Sequence, residues 1–120
     1  MNYTANPDTI TREYFDSLLL ETRYIDSVLP TTKMTLFGEE FDTPIMTAAL
    51  SHLDKTAPNG MSVYAQGAKL SNAVHWMGMG EDEELERVVA TGARTIKIIK
   101  PHADNKEVFR KIEHAVANGC

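Results

Sequence analysis

Three short apolar stretches, each followed by a helical pattern, decide what this chain can fold into. Pro44-Ile45-Met46-Thr47-Ala48-Ala49-Leu50 comes first, then Val74 to Met77, then Ile96 to Ile99. The first has no polar alternation, as expected of a strand covered on both faces. Helical patterns follow over Met61 to Leu70, Glu81 to Ala90 and Asn105 to Val116. The order from residue 44 onward is therefore βαβαβα, with strand starts near 44, 74 and 95. Antiparallel hairpins lack that rhythm; parallel strands with right-handed helical crossovers have it. Two architectures satisfy it: part of a (β/α)8 barrel, or a small doubly wound sheet.

The punctuation between these elements agrees. Ala65, Gly67 and Ala68 let the first of these helices sit close on a sheet, and Asn72 suits the left-handed position after it. Gly92 stops the next helix, Pro101 limits the third strand, and Asn118-Gly119 caps the last helix. Upstream, Asn6-Pro7 is a helix start. Ile10, Tyr14 and Leu18, with Phe15 and Leu19 beside them, predict an amphipathic helix from Thr9 to about Thr22. Thr31 to Phe37 alternates, and Gly38-Glu39 can return the chain through Phe41, which predicts a β-hairpin. We expect one domain, with helix and hairpin over 1–43 and three βα units over 44–120. Trp76 and Phe109 are core candidates.

Charge and cysteine content narrow the function. Seventeen acidic against 12 basic residues give a net charge of −5, a balance that repels phosphate backbones and anionic lipid. Nucleic-acid and membrane partners are not expected. Asp8, Arg12, Glu13 and Asp16 interrupt any signal-peptide core, so a cytoplasmic protein is expected. The single cysteine, Cys120, gives no disulfide framework, and the four histidines have no ligand spacing, so no metal is expected.

Several features could carry chemistry. Gly78-Met79-Gly80 sits between a strand and a helix, as dinucleotide-binding glycines do. Acidic residues follow it directly, and the third glycine position is Glu83, so it reads as a tight βα turn. The run Glu81 to Glu84 reads as a solvated first helical turn, favoured by the macrodipole. Ser51-His52, after the first strand, stands where barrel enzymes place working groups, although a hydrogen-bonded loop pair accounts for it. Lys100 and His102 end the third strand at the same expected mouth, where a cation could balance a flavin or an anionic substrate.

The order Arg23…Asp26, then Thr32-x-Met34-x-Leu36-x-Gly38, then Thr43-Pro44-Ile45-Met46-Thr47-Ala48-Ala49 resembles the entry to FMN-dependent 2-hydroxy acid oxidoreductases of the glycolate oxidase and lactate oxidase type. The resemblance continues through Ala57-Pro58-Asn59-Gly60 and Leu85-Glu86-x-Val88, and covers roughly residues 12 to 120. It implies an α/β fold: the first three βα units of a (β/α)8 TIM barrel, preceded by an N-terminal helix and hairpin, an incomplete barrel. A full barrel takes about 250 residues. The family's flavin-proximal lysine, catalytic histidine and arginine, and phosphate loops belong to later strands.

The resemblance implies FMN as cofactor, a small 2-hydroxy acid such as lactate or glycolate as substrate, and a homo-oligomer at full length. Main-chain contacts to the flavin fall on Ala48, Ala49, Leu50 and Ser51. The family's serine pair falls on Gly78 and Met79, where only backbone contacts can remain. Its strand-three Gln-x-Tyr pair falls on Lys100 and His102, or with a different gap on Lys97 and Ile99; neither placement supplies the tyrosine. Lys100 and His102 are therefore the candidate catalytic positions, with Lys100 also near the cofactor. Two alternatives stand beside this: a diverged FMN or phosphate-ligand barrel resembling type 2 isopentenyl-diphosphate isomerase, and a non-catalytic βα module acting by association. Alone, the 120-residue chain is expected to be marginal, self-associating and colourless.

Overall fold

The computed structural model describes residues 6–120, which divide into two compact units, one ending at Pro30 and the other spanning Thr31–Cys120. The hairpin thus belongs with the βα units and not with the N-terminal helix.

In the first unit, α1 spans Pro7–Asp16. The Asn6 side chain accepts a hydrogen bond from the Asp8 N–H at 3.0 Å, and Pro7 occupies the first turn, where its missing N–H costs nothing. The helix stops short of the expected Thr22. At Ser17 the hydroxyl donates to the Tyr14 carbonyl at 2.6 Å, closing the last turn. No α1 residue is buried, so tertiary packing does not extend a helix whose propensity alone is marginal.

The second unit opens with a hairpin, β1 (Met34–Leu36) against β2 (Glu39–Phe41), in register Met34↔Phe41 and Leu36↔Glu39. The turn is centred on Phe37-Gly38 and not on Gly38-Glu39. Both residues have positive φ, 50° and 81°, and that pair matches the right-handed twist of the strands. Phe41 is buried and anchors the hairpin.

Pro44 to Leu50 is not a regular strand. It runs beside β3 (His75–Met77), joined by Thr47 N–H to the Val74 carbonyl, Gly78 N–H to the Leu50 carbonyl and one parallel bridge, Leu50↔Met77. The Trp76 N–H is taken by the Thr47 hydroxyl at 2.8 Å, and Leu50 N–H turns back to the Ala48 carbonyl. Side-chain and local bonds therefore replace ladder bonds. Ile45 and Leu50 are exposed, so the run is not covered on both faces as its composition suggests.

A 3-10 turn at Leu53–Lys55 leads into α2 (Gly60–Leu70). Asp54 accepts from the Met61 N–H at the start of α2, and a side chain at Gly60 would strike the Leu53 carbonyl. Ala65 and Ala68 are buried, while Gly67 faces open space and does not mediate close packing. Asn72 takes the left-handed conformation, φ 44°. The chain then follows β3, α3 (Asp82–Val89), β4 (Thr95–Lys97) and α4 (Asn105–Ala117). β3 and β4 are parallel, with His75↔Thr95 and Met77↔Lys97.

The core joins α2, β3, α3 and α4 through Met61, Ala65, Met77, Leu85, Val88 and Ala115. Trp76 is only half buried, donating its ring N–H to the Met46 sulfur, and Phe109 is exposed; neither belongs to the core. The architecture is α/β, an incomplete barrel without a closed sheet among the described residues.

Candidate functional site

The segments that follow β3 and β4, with His52 from the loop after the first extended run, enclose a recess of about 220 Å³; Ala48, Ala49, Leu50 and Ser51 do not line it. His52, Met79, Gly80, Lys97, Lys100 and His102 line it. Both placements of the strand-three pair meet here, since Lys97, Ile99, Lys100 and His102 all border the same space. A larger, mostly apolar groove of about 860 Å³ runs between the hairpin, β4 and α4, away from the candidate flavin-facing residues.

Local geometry fixes the walls. The Gly78 N–H donates to the Leu50 carbonyl at 2.7 Å, and a Cβ at Gly78 would come within 2.8 Å of the Ala49 carbonyl oxygen. Only glycine allows the two strand ends this approach. Lys97 Nζ donates to the Gly78 carbonyl at 2.7 Å. Both main-chain polar groups of Gly78 are therefore engaged inside the protein. Burial lowers the Lys97 pKa from its ordinary value, and the Glu84 carboxylate partly offsets that shift.

The other sequence-derived positions differ in their freedom. Ala48, Ala49 and Leu50 are exposed, and Ser51 is half buried. The Ala48 N–H donates to the Tyr64 hydroxyl at 2.9 Å. Met79 is exposed at the rim, and Lys100 and His102 are exposed with their side chains beside the recess.

Two features escape the sequence reading. The acidic run is not uniformly solvated: Glu81 and Glu83 are exposed, Asp82 pairs with Arg110, and Glu84 is buried. Glu84 precedes the buried Val88 by one helical turn, and that spacing carried the signal. His52 does not bond to Ser51. Its N–H donates to Glu84 Oε1 at 2.9 Å, and its Nδ1 stands 4.0 Å from Glu84 Oε2. Among the described residues no group of histidines, cysteines and carboxylates could hold a metal ion, and no helix is long and apolar enough to cross a membrane.

The family model for FMN-dependent dehydrogenase matches residues 6–120. No curated protein matches. Among solved structures, mandelate oxidase with 3,3-difluoro-2-hydroxy-3-phenylpropionic acid aligns over 93% of this chain and 34% of its own, at 19% identity and TM-score 0.82. A mandelate oxidase variant with a C4a-OH-FMN adduct aligns over 75% of this chain and 27% of its own, at 22% identity and TM-score 0.70. Mandelate oxidase with benzoyl-formic acid aligns over 86% and 30%, at 21% identity and TM-score 0.70. The chain spans about a third of the length of these structures, and at such identities the likeness establishes the fold.

Proposed function

Because the chain belongs to the family of FMN-dependent dehydrogenases, we propose that it builds the N-terminal side of an oxidoreductase acting on small 2-hydroxy acids, lactate or glycolate among them. FMN is the cofactor of that family. What carries this reading is the recess at the strand ends, where Lys97, Lys100, Lys111, His102 and His52, against a single carboxylate, Glu81, surround space for an acid of a few atoms.

The residues present fit one side of a flavin. Ala48 and Ala49 are exposed and carry only methyl groups, so a flat ring can approach their main chain. Ala48, Ala49, Leu50 and Ser51 would pack against that ring, with Met79 and Lys100 at its margin, although the N–H groups of Ala48 and Leu50 are already given to the Tyr64 hydroxyl and the Ala48 carbonyl. When bound, FMN supplies a two-electron acceptor. Lys100 offers the substrate carboxylate a fixed positive charge, and His102 offers it a ring nitrogen. Lys97, tied to the Gly78 carbonyl, keeps the ends of β3 and β4 at a set separation. Ile98 and Ile99 line the same recess with apolar surface and restrict water there. Mandelate oxidase has been solved with aromatic acids.

The test is flavin content. Ala49→Trp fills the space over the strand end, and the purified protein that carries this segment should lose its visible flavin absorbance. Full loading of that variant would remove Ala48 to Ser51 from the cofactor site.

A further inference from the structure

Glu84 is an unusual tenant of a helix N-terminal turn. Its side chain is almost completely buried, and Oε2 has no hydrogen-bond partner. A buried carboxylate oxygen left unpaired is costly, so its place calls for a partner close by. Gly80 makes room for it, since a side chain there would overlap Oε2. The imidazole of His52 stands close by, with Nδ1 4.0 Å from Oε2. His52 is already fixed by its main chain: its N–H donates to Glu84 Oε1, and its left-handed backbone (φ 60°, ψ 26°) is uncommon for a side chain of this size. A second bond, from Nδ1 to Oε2, requires the ring to close that 4.0 Å gap. The ring also lines the mouth recess with Lys97, Lys100 and His102.

We propose that Glu84 holds His52 through Nδ1–H, turning Nε2 into the recess as the acceptor that selects the hydroxyl of a 2-hydroxy acid. A neutral imidazole with its proton on Nδ1 has a lone pair on Nε2 and can accept from a hydroxyl. The carboxylate of the same molecule is drawn to Lys100, so one small ligand satisfies both ends of the site. This rests on the reading of the recess as an acid-binding site. His52 is then a specificity-determining residue and Glu84 its positioning residue.

The experiment is ring-nitrogen NMR on the flavin-free, ¹⁵N-labelled protein at about pH 8.5, where ordinary histidines are neutral. The probes are lactate and propionate, which differ by the hydroxyl. The expected results are a proton on Nδ1 of His52, an Nε2 signal moved by lactate and not by propionate, and a roughly three- to tenfold tighter binding of lactate. In Glu84→Gln the amide donates to Nδ1, so the ring proton should move to Nε2 and the preference for lactate should vanish. His52→Gln keeps the main-chain bond to Glu84 and serves where the first variant does not fold; it too should bind both acids alike. A wild-type proton on Nε2 overturns the proposal. Equal shifts at Lys100 and His102 with both acids, and none at His52, overturn it while leaving the recess as an acid site. No response anywhere in the recess to either acid overturns both.

Discussion

Two side chains in the described part of the molecule bury a polar side-chain atom without a partner, and they lie toward opposite ends of β3. At the start of the strand, His75 is fully buried, with Nδ1 bonded to the Thr47 hydroxyl at 3.0 Å and the Tyr64 ring packed edge-on against it. Beyond its end, Glu84 is buried under Gly80 and His52, next to an open recess. Desolvation is unfavourable in both places, and more so for a carboxylate than for a neutral imidazole. At the His75 end it is embedded in packing that ties the first extended run to β3 and α2. At the Glu84 end it stands beside space for a ligand. Burial of a polar group thus belongs to packing at one end and, in our proposal, to a site at the other; the neighbouring empty volume distinguishes them.

The sharpest way to break this comparison uses adjacent residues of α3. Leu85→Ala removes a core side chain and should cost about 2–5 kcal/mol by urea unfolding. Glu84→Leu removes a buried carboxylate and should leave stability within about 1 kcal/mol of the wild type, or raise it. A cost at Glu84 as large as that at Leu85 would make Glu84 a structural residue like its neighbour.

Next in size is the pH dependence at the other end. Burial lowers the His75 pKa, so the folded chain binds a proton there less readily than the unfolded chain. Its stabilising contribution is complete above the ordinary histidine value of about 6.5 and shrinks as pH falls toward the lowered folded value. His75→Leu should flatten that part of the stability profile, read as the difference in urea midpoints between the two proteins across pH. An unchanged profile would show that His75 does not titrate with folding.

The smallest effect is expected at the surface. Arg87 pairs with Asp54 at 2.7 Å, but both side chains are substantially solvated, so Arg87→Ala should cost only about 0.2–1 kcal/mol. Asp54→Ala should cost more than Arg87→Ala, because it also removes the cap on the Met61 N–H at the start of α2. Equal losses in thermal unfolding would mean that the cap contributes nothing.

What the sequence made legible follows from how local each signal is. Alternating apolar runs and helices specify parallel β3 and β4 and the three helices around them, because each element carries its own period and its own stop, such as Asn72 and Gly92. Pro44 to Leu50 looked like a strand because its composition is that of one. Only part of its ladder to β3 forms; the Thr47 hydroxyl takes the Trp76 N–H and Leu50 N–H returns to the Ala48 carbonyl, which no periodicity encodes. At the site, Lys100 and His102 could be placed at the mouth by following strand ends, and they do border the recess. Glu84 could not be found within a run of four acids by composition. Only its helical phase with Val88, and the missing side chain at Gly80, set it apart from Glu81 and Glu83. The hairpin turn moved by one residue for a similar reason: strand twist, a property of the pair, selected Phe37-Gly38.

In our proposal this segment forms the acid-binding side of a flavin site. Anaerobic mixing of the flavin-loaded protein that carries it with lactate, glycolate or mandelate tests that directly, by following loss of the oxidised flavin absorbance. Bleaching is expected with lactate or glycolate, slowed by Lys100→Ala through weaker binding of the carboxylate. A flavin that stays oxidised with all three acids, or bleaching at a rate that Lys100→Ala and His102→Ala both leave unchanged, would contradict it.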